Sequence, residues 1–478
     1  KAGKPIAFLH ERDALKLGVN PGDRVRVSCN GLAVIAVIDI SSDLFSKGNV
    51  ALSQEIIDEL KIKSRSSVEV TATAFAKGSQ ILQKRVQCSS YTKHNLKDIM
   101  EDITNGNLSE AEIAYFVSGI YHCGLSLQET LYLTEAIFET GKKLRWHTKK
   151  IADKHSIGGI PGNRTTPIVV SICAAAGIIM PKTSSRAITS CAGTADVIES
   201  IARVDFSPPE LKKIVKKTGA CLAWGGSIGL SPADDKLIQV EKKLNLDPEP
   251  QLIASILSKK LAVGSKYVLI DIPFGKGAKV SRKEAVNLKR KFIYLGKRLG
   301  FIIQVVLTDG KQPIGNGIGP ILEIRDVLRV LRRDNSPKDL ELKSVMLSGF
   351  LLEMLGKAKK GKGRYTAMEI LNSGKAFAKF KEIIKAQSGS INNLKSSRFH
   401  HTIFSSIKSS IRSIDNRKIN LLARILGCPR DKASGLYIHK HVGESIVRGD
   451  SLITFYAESR IRLKEGLKFF HTEKPISL

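Results

Sequence analysis

The segment Asp153–Thr166, DKHSIGGIPGNRTT, sets Lys154 and Arg164, the hydroxyls of Ser156, Thr165 and Thr166, and Gly158, Gly159 and Gly162 around one proline. Such a set suits an anion. Cations neutralise charge, hydroxyls donate to phosphate oxygens, and glycines let backbone N–H groups approach closely. Two further glycine- and hydroxyl-rich segments follow, KTSSRAITSCAGTAD (182–196) and DIPFGKGAK (271–279), the second at the end of an apolar run that reads as a strand. In open α/β sheets ligands bind where strand ends meet loops, and exposed backbone N–H groups there favour anions. One such segment is as readily a mere connection, but three at neighbouring strand ends point to a phosphate site. The opening segment is no Walker A loop, because GxxxxGK[ST] is absent from it. The histidines are scattered without a metal-ligand spacing. His155 reads as a supporting residue, since phosphate is already an anionic nucleophile.

The elements that must carry these loops are legible as an α/β pattern. KYVLIDIP (266–273) and FIIQVVLTDG (301–310) read as buried parallel strands, and Ala285, Leu288, Phe292, Leu295 and Leu299 form one face of a crossover helix between them. Upstream, 93–145 is helical, with Ser109/Glu112 and Ser126/Glu129 at capping-box spacing. Residues 1–88 show two helix–turn–strand copies (13–29 and 57–73) flanking LAVIAVIDI, the pattern of a small β-barrel-like domain. After a Gly/Ser-rich linker at 386–397, the tail alternates apolar residues with turns. The expected organisation is a β-rich domain (1–88), a helical lobe (89–150 with 232–262), an α/β phosphate- and nucleotide-binding domain (151–385) and a C-terminal α+β domain (392–478).

Composition narrows the function classes. With 42% hydrophobic and 25% charged residues over 478 positions, the chain reads as an ordinary globular protein of several domains. The most apolar run, 167–180, contains Ser171 and ends at Pro181, so no membrane span is expected. Seven cysteines without a CxxC pair read as reduced thiols of a cytoplasmic protein. The net charge of +31 admits nucleic-acid binding, but it is spread over helices and aromatics are only 6%. Solvated basic faces and an anionic small substrate explain it better.

The same segments, with WGGSIGLSPADD, SILSKKLAVGSKYVLIDIP and GKGAKV, resemble the thymidine/pyrimidine nucleoside phosphorylase family. They are most similar to its archaeal-type AMP phosphorylase branch, which shares the PGN insertion and an N-terminal domain opening like LHERDA…GVNPGDRV. The resemblance covers nearly the whole chain, from Leu9 to YAES. It implies attack of inorganic phosphate on C1′ of the nucleotide sugar, releasing base and ribose 1,5-bisphosphate from AMP, with CMP and UMP as further candidates. It implies no cofactor, and a homodimer or larger assembly. A nucleoside phosphorylase acting on thymidine or uridine and an inactive nucleic-acid-binding protein are the alternatives.

Residue by residue, the resemblance implies that Lys154, Ser156, Thr166 and Ser184 hold the attacking phosphate. It places Gly159, Ser185, Arg186, Ala187, Ile188, Thr189, Ser190, Thr194, Ser255 and Lys279 at the nucleotide. Thr194 falls in both sets, so which phosphate it touches stays open. Lys259 matches a base-recognising lysine, against a solvated helix lysine as the plain reading. Lys279 matches the lysine taken to bind the 5′-phosphate, against an exposed surface lysine. Asp247 matches the residue taken as proton donor to the departing base, against a helix cap before Pro248, with Asp234 and Asp235 as nearby competitors. Lys242 and Lys243 stand where the family usually carries an apolar or aromatic pair.

Overall fold

A computed structural model describes residues 5–73, 77–187, 190–392 and 394–478. The chain divides into two compact units, Lys1–Ala136 with Gln239–Pro250, and Ile137–Ile238 with Gln251–Leu478.

In the first unit, period-2 runs build a five-stranded sheet in the order Val50–Leu52, Ile6–His10, Leu32–Ser41, Arg24–Cys29, Glu69–Ala72. Alternate residues Val25, Val27, Val34, Ala36 and Ile38 face one core with Ile56 and Leu60 from the helix Gln54–Leu60. The strands that end the two helix–turn–strand copies lie side by side, antiparallel. The helical part follows. Ser109 and Glu112 close a reciprocal capping box on the helix Glu110–Cys123. Glu129 completes a second with Ser126, and also takes the Tyr91 N–H at 2.8 Å and the buried Arg85 guanidinium at 3.2 Å.

One expectation is corrected here. The thiols are not all reduced, because Cys88 and Cys123 form a disulfide. The turn Lys84–Gln87 delivers Cys88 to the C-terminal end of the helix Glu110–Cys123, with the two Cα atoms 5.4 Å apart. Sequence spacing could not show this, since 35 residues separate them. The other five cysteines are free.

The second unit is built on parallel strands in the order Ile302–Asp309, Tyr267–Phe274, Ala152–Ser156. A single parallel bridge, Ile151 to Ile179, joins them to the parallel pair Met180–Ser184 and Ala220–Trp224. The helix Thr165–Ala175 is apolar nearly all round because it is buried, packed against the helices Lys338–Met354 and Lys375–Ala386 in the main core. The crossover helix Arg282–Arg298 buries Ala285, Leu288, Phe292 and Leu295, as its spacing requires. The C-terminal strands Gly435–Ile438, Ser451–Ala457 and Phe399–Phe404 form an antiparallel sheet whose edge strand is Gly317–Ile318. The C-terminal part therefore shares a sheet with the α/β part. Among the described residues no helix is long and apolar enough to cross a membrane.

Candidate functional site

The strand Ala152–Ser156 is polar on both faces and buried, which is costly unless each charge is paired. On one face Asp153, fully buried, takes Lys182 Nζ at 3.0 Å and Lys260 Nζ at 2.7 Å. Burial alone would raise its pKa, but the two ammonium groups hold it below the usual carboxylate value. Lys260 is depressed to about 7, chiefly by burial, with Asp153 opposing. His155 is held well below its ordinary value by burial and by Lys260, Lys182, Lys154 and Lys259, so it stays neutral.

The other face carries the candidate phosphate residues. Lys154 donates from Nζ to Thr165 Oγ1 at 2.7 Å. Asp271 lies on the neighbouring strand, in register with Ser156; it accepts from Thr308 Oγ1 at 2.6 Å and sits 3.1 Å from Lys343 Nζ. Burial depresses Lys154 to about 7, against the pull of Asp271 and helped by Lys343, Lys182 and Arg164. Asn163 Nδ2 donates to Ser156 Oγ at 3.3 Å, while Ser184 Oγ is buried without a hydrogen-bond partner among the described residues. The helix Thr165–Ala175 starts with no side-chain cap. This face thus offers a buried cation, hydroxyl donors and an uncapped helix start, the chemistry that holds an oxyanion.

Arg164 is occupied differently. Its guanidinium donates to Glu323 Oε2 at 2.5 Å, to Thr194 Oγ1 at 2.7 Å and to the Ala192 carbonyl at 3.0 Å. Burial raises the pKa of Glu323, with Arg164 opposing. Arg164 is therefore a brace that fixes Thr194, whose hydroxyl donates to no partner among the described residues. Replacing Arg164 with Met strands a fully buried carboxylate, so a loss of about 3–5 kcal/mol in unfolding free energy is expected by urea denaturation. Arg164→Lys keeps a cation beside Glu323 but lacks the planar fork, so a smaller loss is expected.

The loop after Met180–Ser184 is held from within. Asp196 Oδ2 accepts the N–H of Ala187 at 2.7 Å and of Gly193 at 2.8 Å. Gly193 must be glycine, because a Cβ there would lie 2.4 Å from the Ser185 carbonyl oxygen. Arg186 forks onto Glu199 at 2.8 and 2.6 Å and stacks over Trp224 at 4.5 Å. Ser190 Oγ donates to the Ala192 carbonyl at 2.8 Å. Ile188 and Thr189 lie outside the described residues. Gly159, at φ +88°, lies against Lys279: a Cβ on it would be 3.1 Å from Lys279 Cβ. The first and third loops therefore touch. Lys279 is half-buried there rather than out on the surface.

On the helix Glu249–Val263, Ser255 Oγ donates to Asp234 Oδ2 at 2.7 Å, and Lys259 Nζ donates to the same oxygen and to Ser255 Oγ. Lys259 is thus no solvated helix lysine. Thr166 is buried in the first turn of the helix Thr165–Ala175, beside the residue that Lys154 engages. Asp247 is exposed in the short connection before the helix Glu249–Val263 and belongs to the first unit. Sequence reading missed Asp271, Lys343, Lys182 and Lys260. The signal available for the acid was its place at the end of YVLID, where an apolar strand turns polar.

Family models match three stretches: the glycosyl transferase family helical bundle domain at 79–141, its a/b domain at 148–377, and the pyrimidine nucleoside phosphorylase C-terminal domain at 410–477. The AMP phosphorylase of Thermococcus kodakarensis is 42% identical over 100% of this chain and 96% of its own length. AMP phosphorylase 1 of Archaeoglobus fulgidus is 40% identical over 100% and 95%. The chain belongs to the AMP phosphorylase family. Among solved structures, the anthranilate phosphoribosyltransferase of Thermus thermophilus matches at a TM-score of 0.55 and 17% identity, over 64% of this chain and 99% of that one. At that identity it speaks for the fold alone, and it agrees with a glycosyl transferase architecture for this AMP phosphorylase family member.

Proposed function

We propose that this chain catalyses phosphorolysis of AMP to adenine and ribose 1,5-bisphosphate, with inorganic phosphate as co-substrate and no cofactor. Full-length similarity to AMP phosphorylases supports the reaction class. The observation that carries the nucleotide reading is the apposition of Gly159 and Lys279, which brings a lysine beside the glycine loop that leads from Lys154 and Ser156. In this reading Lys154, Ser156, Thr166 and Ser184 bind the attacking phosphate. Lys279, with Gly159, the 185–190 loop and Thr194, binds the 5′-phosphate and sugar, while Ser255 and Lys259 address the base. The reaction is placed in the cytoplasm, where both substrates occur, and the working form is a homodimer or larger assembly, as the family resemblance implies.

The test compares kcat/KM for AMP and adenosine in the wild type and in Lys279→Ala. A charge-assisted contact of about 1.5–3 kcal/mol predicts a loss of tenfold or more for AMP. The already poor use of adenosine should be unchanged. Equal losses would mean that Lys279 serves the fold or the attacking phosphate. Use of thymidine or uridine in preference to any nucleotide would overturn the reading.

A further inference from the structure

The helix Asn416–Leu426 belongs to the C-terminal part, yet it reaches two of the three glycine- and hydroxyl-rich loops. Its residues Ile419, Leu422, Ala423 and Leu426 are buried in the C-terminal core, and the Cys191 side chain of the second loop is buried in that same core. Asn420 and Arg424, one turn apart, hold the peptide just before this plug. Asn420 Oδ1 accepts the Cys191 N–H at 2.9 Å, and Arg424 donates to the Ser190 carbonyl at 3.1 Å. A trans peptide is planar and points these two groups opposite ways, so the pair of holds fixes its plane. Asn420 is only 7% exposed, so removing its oxygen would strand a buried N–H.

The rest of this loop, among the described residues, is held from elsewhere. Asp196 accepts from Ala187 and Gly193, and Arg164 donates to the Ala192 carbonyl and to Thr194 Oγ1. A second link runs from Lys432 Nζ to Glu199 Oε2 at 2.6 Å, the oxygen that also takes Arg186. At its first turn the helix lies against the third loop. A Cβ on Gly277 would be 3.7 Å from Asn416, whose Nδ2 donates to the Gly310 carbonyl at 2.8 Å.

We propose that Asn420 is a positioning residue for the nucleotide: with Arg424 it clamps the Ser190–Cys191 peptide and so makes the C-terminal helix a working part of the nucleotide site. The inference rests on the AMP reading above, in which the 185–190 loop binds the nucleotide. Lys154, Ser156 and Thr166 lie outside that loop, so the attacking phosphate should not feel the loss of the clamp.

The experiment measures kcat and KM for AMP and for phosphate in the wild type, Asn420→Leu, Asn420→Asp and Arg424→Met, with amide hydrogen exchange over 185–194. Asn420→Leu should raise KM for AMP by about tenfold or more, the scale of one stranded buried donor, with KM for phosphate within about threefold of wild type. Exchange over 185–194 should quicken in that variant. Asn420→Asp keeps an acceptor in the same place, with Arg424 one turn on to pair with it, and should stay within about threefold on both KM values. Arg424 is exposed, so Arg424→Met tests the same peptide even where Asn420→Leu does not fold; it should raise KM for AMP by about threefold or more and again spare phosphate.

An unchanged KM for AMP in both Asn420→Leu and Arg424→Met overturns the inference while leaving phosphorolysis standing. KM values for AMP and phosphate that rise together would make Asn420 a fold residue and overturn it too. Asn420→Asp as impaired as Asn420→Leu would overturn the hydrogen-bond clamp. Release of no base from AMP by the wild type overturns the AMP reading and the nucleotide role with it, while the exchange rates still report whether Asn420 holds the loop.

Discussion

Lys154→Met is expected to lower kcat/KM for phosphate by roughly 30-fold to several thousand-fold, the range for losing one partner of a buried charge pair. Lys154 is 1% exposed, so its charge is spent on whatever anion reaches that face and on Asp271, not on water. Asp271 keeps Lys343 and Thr308 in the variant, which should preserve the fold. The same residue gives a pH signature. In the empty protein burial holds Lys154 at about 7. A bound dianion favours the ammonium form, so above pH 7 binding must also take up a proton. Affinity then falls as pH rises, approaching tenfold per unit, and it is level below pH 7. Sulfate as a competitive inhibitor isolates this, because its charge is constant over pH 6–9. Its inhibition constant should climb from pH 7 to 9 in the wild type and stay flat in Lys154→Met. Lys260 titrates in the same window. A climb that persisted in the variant would assign the effect to Lys260 and remove Lys154 from the phosphate.

What the sequence made legible follows from how local each signal is. Parallel strands at Tyr267–Phe274 and Ile302–Asp309, their crossover helix, and the caps at Ser109 and Ser126 all rest on spacings of a few residues. They appeared where the periodicity put them. The three loops were visible too, because glycine, hydroxyl and cation cluster along the chain. Their mutual placement was not: Gly159 meets Lys279 across 120 positions of sequence, and Asp271 meets Lys343 across 72.

The buried ion pairs failed to register for the same reason. Lys182 and Lys260 look like surface lysines in a chain with 76 basic residues, until the sheet brings both to Asp153. Arg164 was legible as a cation beside a phosphate loop, but its planar fork is filled by Glu323, Thr194 and Ala192. The composition that suggested an anion site therefore overstated how many of its cations are available. The Cys88–Cys123 bond was hidden because nothing local distinguishes a thiol that meets its partner 35 residues away.

Asp247→Asn is expected to lower kcat by about 10²–10⁴-fold, the usual contribution of a positioned general acid, with little change in KM for AMP. The departing purine leaves as an anion unless it is protonated, and the stabilisation is realised only as the glycosidic bond breaks. Loss of the donor should therefore appear in kcat and kcat/KM together. The assignment to Asp247 comes from the family resemblance, and two other carboxyls compete for the role. Asp234 is a poor donor, since both its oxygens already accept from Gln251, Ser255 and Lys259. Asp235 is the serious rival. Burial raises it to about 6, with Lys259 opposing and Asp234 assisting, so it carries a proton well above the pH at which an ordinary aspartate has lost it. The two assignments separate in a paired experiment. If Asp247 is the acid, Asp235→Asn keeps turnover within about threefold while Asp247→Asn loses it. If Asp235 is the acid, the pattern reverses, and wild-type kcat falls as pH rises through about 6, tending to tenfold per unit, with that limb absent from Asp235→Asn. Near-normal turnover in Asp247→Asn would leave that residue as the cap before Pro248.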